Sequence, residues 1–179
     1  MIKYGFGPMN ARIQTLLVGV ILVSMTLLAY VPSMRGGYVW DDDAYLTEDP
    51  RMGSLGGLGR IWTEIAGENY RHQYYPMTIS GFWIQHHFWG FENAAGYHVI
   101  NVLLHAANAI LLWRVLNLLA IPGSWIAAAI FAIHPVHVMS VAWITELKNV
   151  LSTLFFMLSA LAWIRAFALV EADSSSNED

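Results

Sequence analysis

No cysteine occurs among the 179 residues. Disulfides, Cys-based zinc sites, thiol catalysis and iron–sulfur clusters are excluded together. Charge is scarce as well. Asp, Glu, Lys and Arg make up 12% of the chain, against about 25% in a soluble domain. A basic excess is also missing: 9 Lys and Arg stand against 13 Asp and Glu, for a net charge of −4. Nucleic acid is therefore not an expected partner. No Gly-rich phosphate loop, G-x-S-x-G or H-E-x-x-H motif is present, and no internal repeat. Apolar residues fill the space. They account for 56% of the chain, and the mean hydropathy is +0.47. Disorder and a soluble domain are both poor fits, and an integral membrane protein is the expectation.

The apolar runs divide the chain into four expected spans: 13–33, 99–120, 124–144 and 150–170. The first has 21 uncharged residues. As helix it measures about 31 Å, matching a hydrocarbon core of ~30 Å. It exceeds the h-region of a signal peptide and no A-x-A-like site follows, so it reads as an uncleaved signal anchor. In the third run, His134-Pro135-Val136-His137 interrupts the pattern, and Pro135 predicts a kink. Within the long segment 34–97, Asp49-Pro50 and Gly53-Ser54-Leu55-Gly56-Gly57 read as turns. The apolar stretch 76–91 is too short to span and reads as a helix lying in the membrane interface. The tail, 171–179, is Ser-rich and acidic and is expected to be disordered. Lys3 and Arg12 flank the first span, favouring a cytoplasmic N-terminus (1–12) and an external loop at 34–97. The fold class expected is an all-α membrane protein of about four transmembrane helices, with a short interfacial helix in its first external loop.

Four constellations could carry chemistry. Three adjacent carboxylates, Asp41, Asp42 and Asp43, follow the first span. They read either as a solvated acidic turn or as a reactive group. In the second case one could serve as general base toward a hydroxyl, or Asp41 and Asp43 could grip a divalent cation as a D-x-D pair. His134 and His137 share a helix face at i, i+3. They suit carbonyls freed at the kink, or contact with a phosphate, better than a metal. Asn101, His105 and Asn108 form a polar stripe suited to interhelical hydrogen bonds. Arg71 offers a guanidinium to an anionic lipid phosphate. Glu146 and Lys148 stand two apart, which on one continuous helix leaves them facing different ways, each free for another partner.

Several strings resemble those of GT-C type membrane glycosyltransferases. One is Gly37-Tyr38-Val39-Trp40-Asp41-Asp42-Asp43; a second is Gln73-Tyr74-Tyr75-Pro76-Met77-Thr78. A third is Gly96-Tyr97-His98-Val99-Ile100-Asn101, and a fourth runs from His134 through Trp143-Ile144-Thr145-Glu146-Leu147-Lys148-Asn149. The likeness is greatest to the protein O-mannosyltransferase-like domain of bacterial tetratricopeptide-repeat membrane proteins. It implies a partial GT-C membrane domain over 13–170, in a bacterial inner membrane. It also implies a polyprenyl-phosphate sugar donor, an acceptor Ser or Thr on a protein, and inverting transfer at the non-cytoplasmic face. By the same resemblance Asp41 and Asp42, with Asp43 beside them, hold the catalytic base, Asp42 being the first choice. Arg71, His134, His137 and Lys148 are then the groups available to the donor phosphate. The sequence departs from the pattern at Met139, where relatives carry Glu, and at Leu147, where they carry Arg. It is also short, as expected of a truncated or split reading frame whose partner would be the remaining part of the transferase. The alternative expectation is a non-catalytic membrane fragment or packing subunit.

Overall fold

A computed structural model describes residues 10–64 and 74–176. Helix α1, Ala11–Tyr30, begins where the Asn10 side chain accepts the Arg12 N–H at 3.0 Å. It stops ahead of Pro32, and a 3-10 turn, Ser33–Arg35, leads into the first loop. That loop contains two helices that were not expected, α2, Asp42–Tyr45, and α3, Leu55–Thr63. The Gly53–Gly57 run was read as a turn, yet its second half is the start of α3. The physical reason is close packing. A Cβ on Gly57 would stand 1.7 Å from the Arg51 carbonyl oxygen, so only glycine lets this helix meet the preceding loop. Arg51 is itself buried and forms a salt bridge of 2.7 Å with Asp49.

Helix α4, Pro76–Trp89, opens on proline, whose missing N–H costs nothing in a first turn. It buries Ile79 and Phe82 and leaves Met77, Ile84 and Phe88 exposed. Helix α5, Ala94–Leu118, is capped by Asn93 and is the central pillar, packing on α1 and on the helices that follow. Gly123 adopts a left-handed backbone (φ 72°) at the turn into α6, Ser124–Ile133. Pro135 then breaks the path: a 3-10 turn, Pro135–His137, and α7, Val138–Ala142, leave α6 at 48°. A second 3-10 turn, Ile144–Glu146, precedes α8, Leu147–Ser176. The helix therefore continues through Ser176, past Glu171, where a disordered tail was expected.

Among the described residues, three helices are long and apolar enough to cross a membrane: Arg12–Tyr30, Ala94–Leu118 and Ile144–Ala168. The bent pair Ser124–Ile133 and Pro135–Ala142 makes a fourth if it counts as one span. The chain is an all-helical integral membrane protein. The polar stripe on α5 bonds to carbonyls of neighbouring elements. Asn101 donates to the carbonyls of Trp143 and Ile144, at 2.9 and 3.3 Å. Asn108 donates to the Val150 carbonyl at 2.9 Å, and His105 meets the Ala132 carbonyl at 3.2 Å. Below them Leu22, Trp113 and Ala128 form a small apolar core. Above, Tyr97, Phe82, Ile61, Leu46, Ile144 and Leu147 bind the first loop, α4 and the start of α8 into a larger one.

Candidate active site

The acidic run lies where the first loop meets the turn Ile144–Glu146. Gly36 brings the loop against α5; a Cβ there would be 3.3 Å from the His98 ring. Tyr38 then donates its hydroxyl to the Phe91 carbonyl at 2.8 Å. Burial, together with the carboxylates of Asp42, Asp43 and Glu92, pushes the Tyr38 phenol up to about 12, so it remains a donor. These anchors deliver the three aspartates to different places.

Asp42 is fully buried. Its two oxygens accept backbone N–H groups from both sides: Val39 at 2.9 Å and, from 103 residues away, Thr145 at 3.0 Å. Burial raises its pKa and the Asp41 carboxylate adds to the rise, while the two N–H donors pull the other way. Asp41 is exposed, and one of its oxygens accepts the Thr145 hydroxyl at 3.3 Å. Asp43 is also exposed, and Thr47 donates to it at 3.3 Å. Asp41 and Asp43 are thus the exposed carboxylates of the run, whereas both oxygens of Asp42 are turned inward. Among the described residues, no group of three or more His, Cys, Asp or Glu converges as a metal site.

Thr145 is the residue that sequence reasoning left unassigned. Its N–H holds Asp42 and its hydroxyl holds Asp41, and Asn101 supports the same turn through the Trp143 and Ile144 carbonyls. The signal was its place in the fourth block, between Trp143 and Glu146.

Lys148 is placed differently from the expectation. Its Nζ pairs with Glu146 at 2.6 Å, and Asn149 also donates to Glu146. The pair forms because residues 144–146 are a 3-10 turn and α8 begins at Leu147, so the continuous-helix argument does not apply. Nζ also stands 5.9 Å from the centre of the Tyr75 ring. It borders a groove of about 470 Å³ between the starts of α4 and α8, lined by Tyr75, Met77, Leu151, Ser152 and Phe155. The histidines lie at the α6–α7 bend. His134 accepts the Val136 N–H at 3.2 Å, as a kink residue would, and His137 packs 4.5 Å from Phe131 and 5.4 Å from His105. Among the described residues no hydrogen bond or ring contact ties either histidine to Asp41, Asp42 or Asp43. Arg71 lies outside the described residues. Met139 is exposed, whereas Leu147 is buried and stands over Gly81. An arginine in that orientation would need different packing.

Over 164 residues the chain is 30% identical to protein O-mannosyl-transferase TMTC4 of Mus musculus, covering 80% of this chain and 22% of that protein. It is 26% identical over 164 residues to protein O-mannosyl-transferase TMTC3 of Homo sapiens, covering 88% and 17%. A shorter match, 36% over 108 residues, links it to protein O-mannosyl-transferase TMTC2 of Mus musculus, covering 59% and 13%. The chain is thus similar to an O-mannosyltransferase-like domain and spans about a fifth of the length of these curated relatives. No protein-family model matches it, and neither does any solved structure.

Proposed function

We propose that this chain contributes the catalytic loop of a membrane glycosyltransferase. In this reading it moves a hexose such as mannose from a polyprenyl phosphate to a protein Ser or Thr, at the non-cytoplasmic face. The observation that carries the reading is the division of labour in the acidic run. Asp42 staples the loop to the turn before α8, and the staple leaves Asp41 exposed with one oxygen steadied by Thr145. A carboxylate so placed can accept the proton of an acceptor hydroxyl while its oxygen attacks C1 of the sugar. The C1–phosphate bond breaks on the opposite side, and the electron pair leaves with the lipid phosphate. The names of the relatives support a sugar transferred to protein. The groove supports a lipid donor, because its apolar side chains, among them Met77, Leu151 and Phe155, open beside the Lys148–Glu146 ion pair. Arg71, His134 and His137 remain candidates for the same phosphate, and Asp41 with Asp43 for a divalent cation.

The test is transfer of mannose from polyprenyl-phosphate mannose to a Ser/Thr peptide, in membranes that contain the chain. Asp41→Asn is expected to lower the rate by about 10²–10⁴-fold, the worth of a general base, with membrane insertion unchanged. Full transfer by that variant removes Asp41 as the base. No transfer by the native chain favours the packing-subunit reading instead.

A further inference from the structure

Trp40 is the most exposed aromatic ring near the acidic run, with 78% of its surface open. It also holds a backbone that tryptophan rarely adopts, at φ 53°. A bulky L-residue in the left-handed region is strained, and such strain persists only where surrounding contacts impose it. Here a hydrogen-bonded carboxylate and a packed indole impose it. The Asp42 carboxylate takes the Val39 N–H on one side of Trp40 and the Thr145 N–H across the site. The ring packs at right angles to that of Trp143, centroids 4.7 Å apart and planes at 81°. Trp143 is in turn held through its carbonyl by Asn101. Its indole N–H is shielded from solvent and has no hydrogen-bond partner. The result is a propped, largely exposed indole one residue from Asp41.

We propose that Trp40 is a stacking platform for a hexopyranose ring, the sugar being transferred. The face of an aromatic ring carries negative charge and its edge positive charge. A pyranose presents a patch of axial C–H groups, polarised positive by the neighbouring oxygens, and that patch complements an indole face. A ring resting on Trp40 lies beside the carboxylate that meets the acceptor. The indole leaves that carboxylate undisturbed, since it offers an apolar plane instead of competing donors. The inference rests on the proposed transferase reading and adds to it where the sugar is held. A tryptophan at a membrane surface can instead serve only to anchor the chain among headgroups. The experiment therefore separates binding from anchoring.

The full chain in lipid nanodiscs would be examined by saturation-transfer NMR, with methyl α-D-mannopyranoside as probe and mannitol as an open-chain control. The native chain is expected to transfer saturation to the pyranose C–H protons and not to mannitol. Trp40→Asn, which suits the left-handed backbone but has no ring, is expected to lose that signal. Its thermal midpoint should stay level or rise, since the strain is relieved. Trp40→Phe, which keeps a smaller ring, is expected to retain part of the signal. Asp41→Asn is expected to bind as the native chain does while losing transfer, so the platform and the base can fail independently. The proposal is overturned by any of three results: no pyranose signal above mannitol in the native chain, an undiminished signal in Trp40→Asn, or a clear fall in that variant's midpoint or nanodisc retention.

Discussion

Asp42 joins segments 103 residues apart through two hydrogen bonds on one carboxylate, and its removal should be felt well beyond its own loop. Asp42→Ala leaves the N–H groups of Val39 and Thr145 without an acceptor. A buried donor left unpaired costs about 1–3 kcal/mol; the Thr145 N–H is buried and the Val39 N–H only partly so, and a loss of about 2–4 kcal/mol is expected in detergent unfolding. Its titration gives a second check. Burial raises the folded-state pKa above the ordinary 3.8. Between 3.8 and the raised value the folded chain keeps a proton that the unfolded chain has released. The stabilisation from that proton is complete below 3.8 and is lost as pH rises through the folded value. The stability of the native chain minus that of Asp42→Asn should accordingly decline with rising pH across this window. A difference that grows with pH contradicts the assignment. The run of three aspartates could be read as reactive from the sequence, but that Asp42 is the one turned inward could not. Neighbours in sequence have the same local chemistry, and only the partner turn at Thr145 distinguishes them.

At the scale of elements, the short turn Ile144–Glu146 organises the site, and buried polar side chains hold it in place. Asn101→Leu would strip two carbonyls of their donor, at roughly 1–3 kcal/mol, and free the turn that carries Trp143 and Thr145. That variant should lose transfer as well as stability. Asn108→Leu should lose stability alone, because its bond to the Val150 carbonyl lies farther along α8. Glu146 and Lys148 can be separated by a double-mutant cycle with Glu146→Gln and Lys148→Met. Lys148 is about a third exposed, so solvent screens the pair and a coupling of about 1 kcal/mol is expected. A coupling of zero would mean that the ion pair does not hold the turn. The helices themselves were legible from apolar run length, including the break at Pro135. α3 was hidden because its glycines read locally as a turn, and tertiary contact with Arg51 reversed that reading.

For the molecule as a whole, the proposed orientation places the first loop outside the cytoplasm. The absence of native cysteine permits a clean test. Leu55→Cys puts a single thiol on a side chain that is 78% exposed. In intact cells it should react with a membrane-impermeant maleimide added outside. Reaction only after the cells are opened would reverse the topology and move the proposed active site to the cytoplasmic side.

What the sequence determined by itself was the solvent and the skeleton. Uncharged runs near the thickness of a bilayer dictate helices, because backbone polar groups in hydrocarbon must be satisfied within the segment. The polar stripe on α5 had likewise to face its neighbours. Tertiary structure alone decided which carboxylate of the run is buried, that Glu146 meets Lys148, and that Trp40 is held largely exposed against Trp143. Those outcomes depend on contacts between residues as far apart as Asp42 and Thr145, where a few tenths of an ångström choose the hydrogen-bond partner, and local spacing carries no record of them.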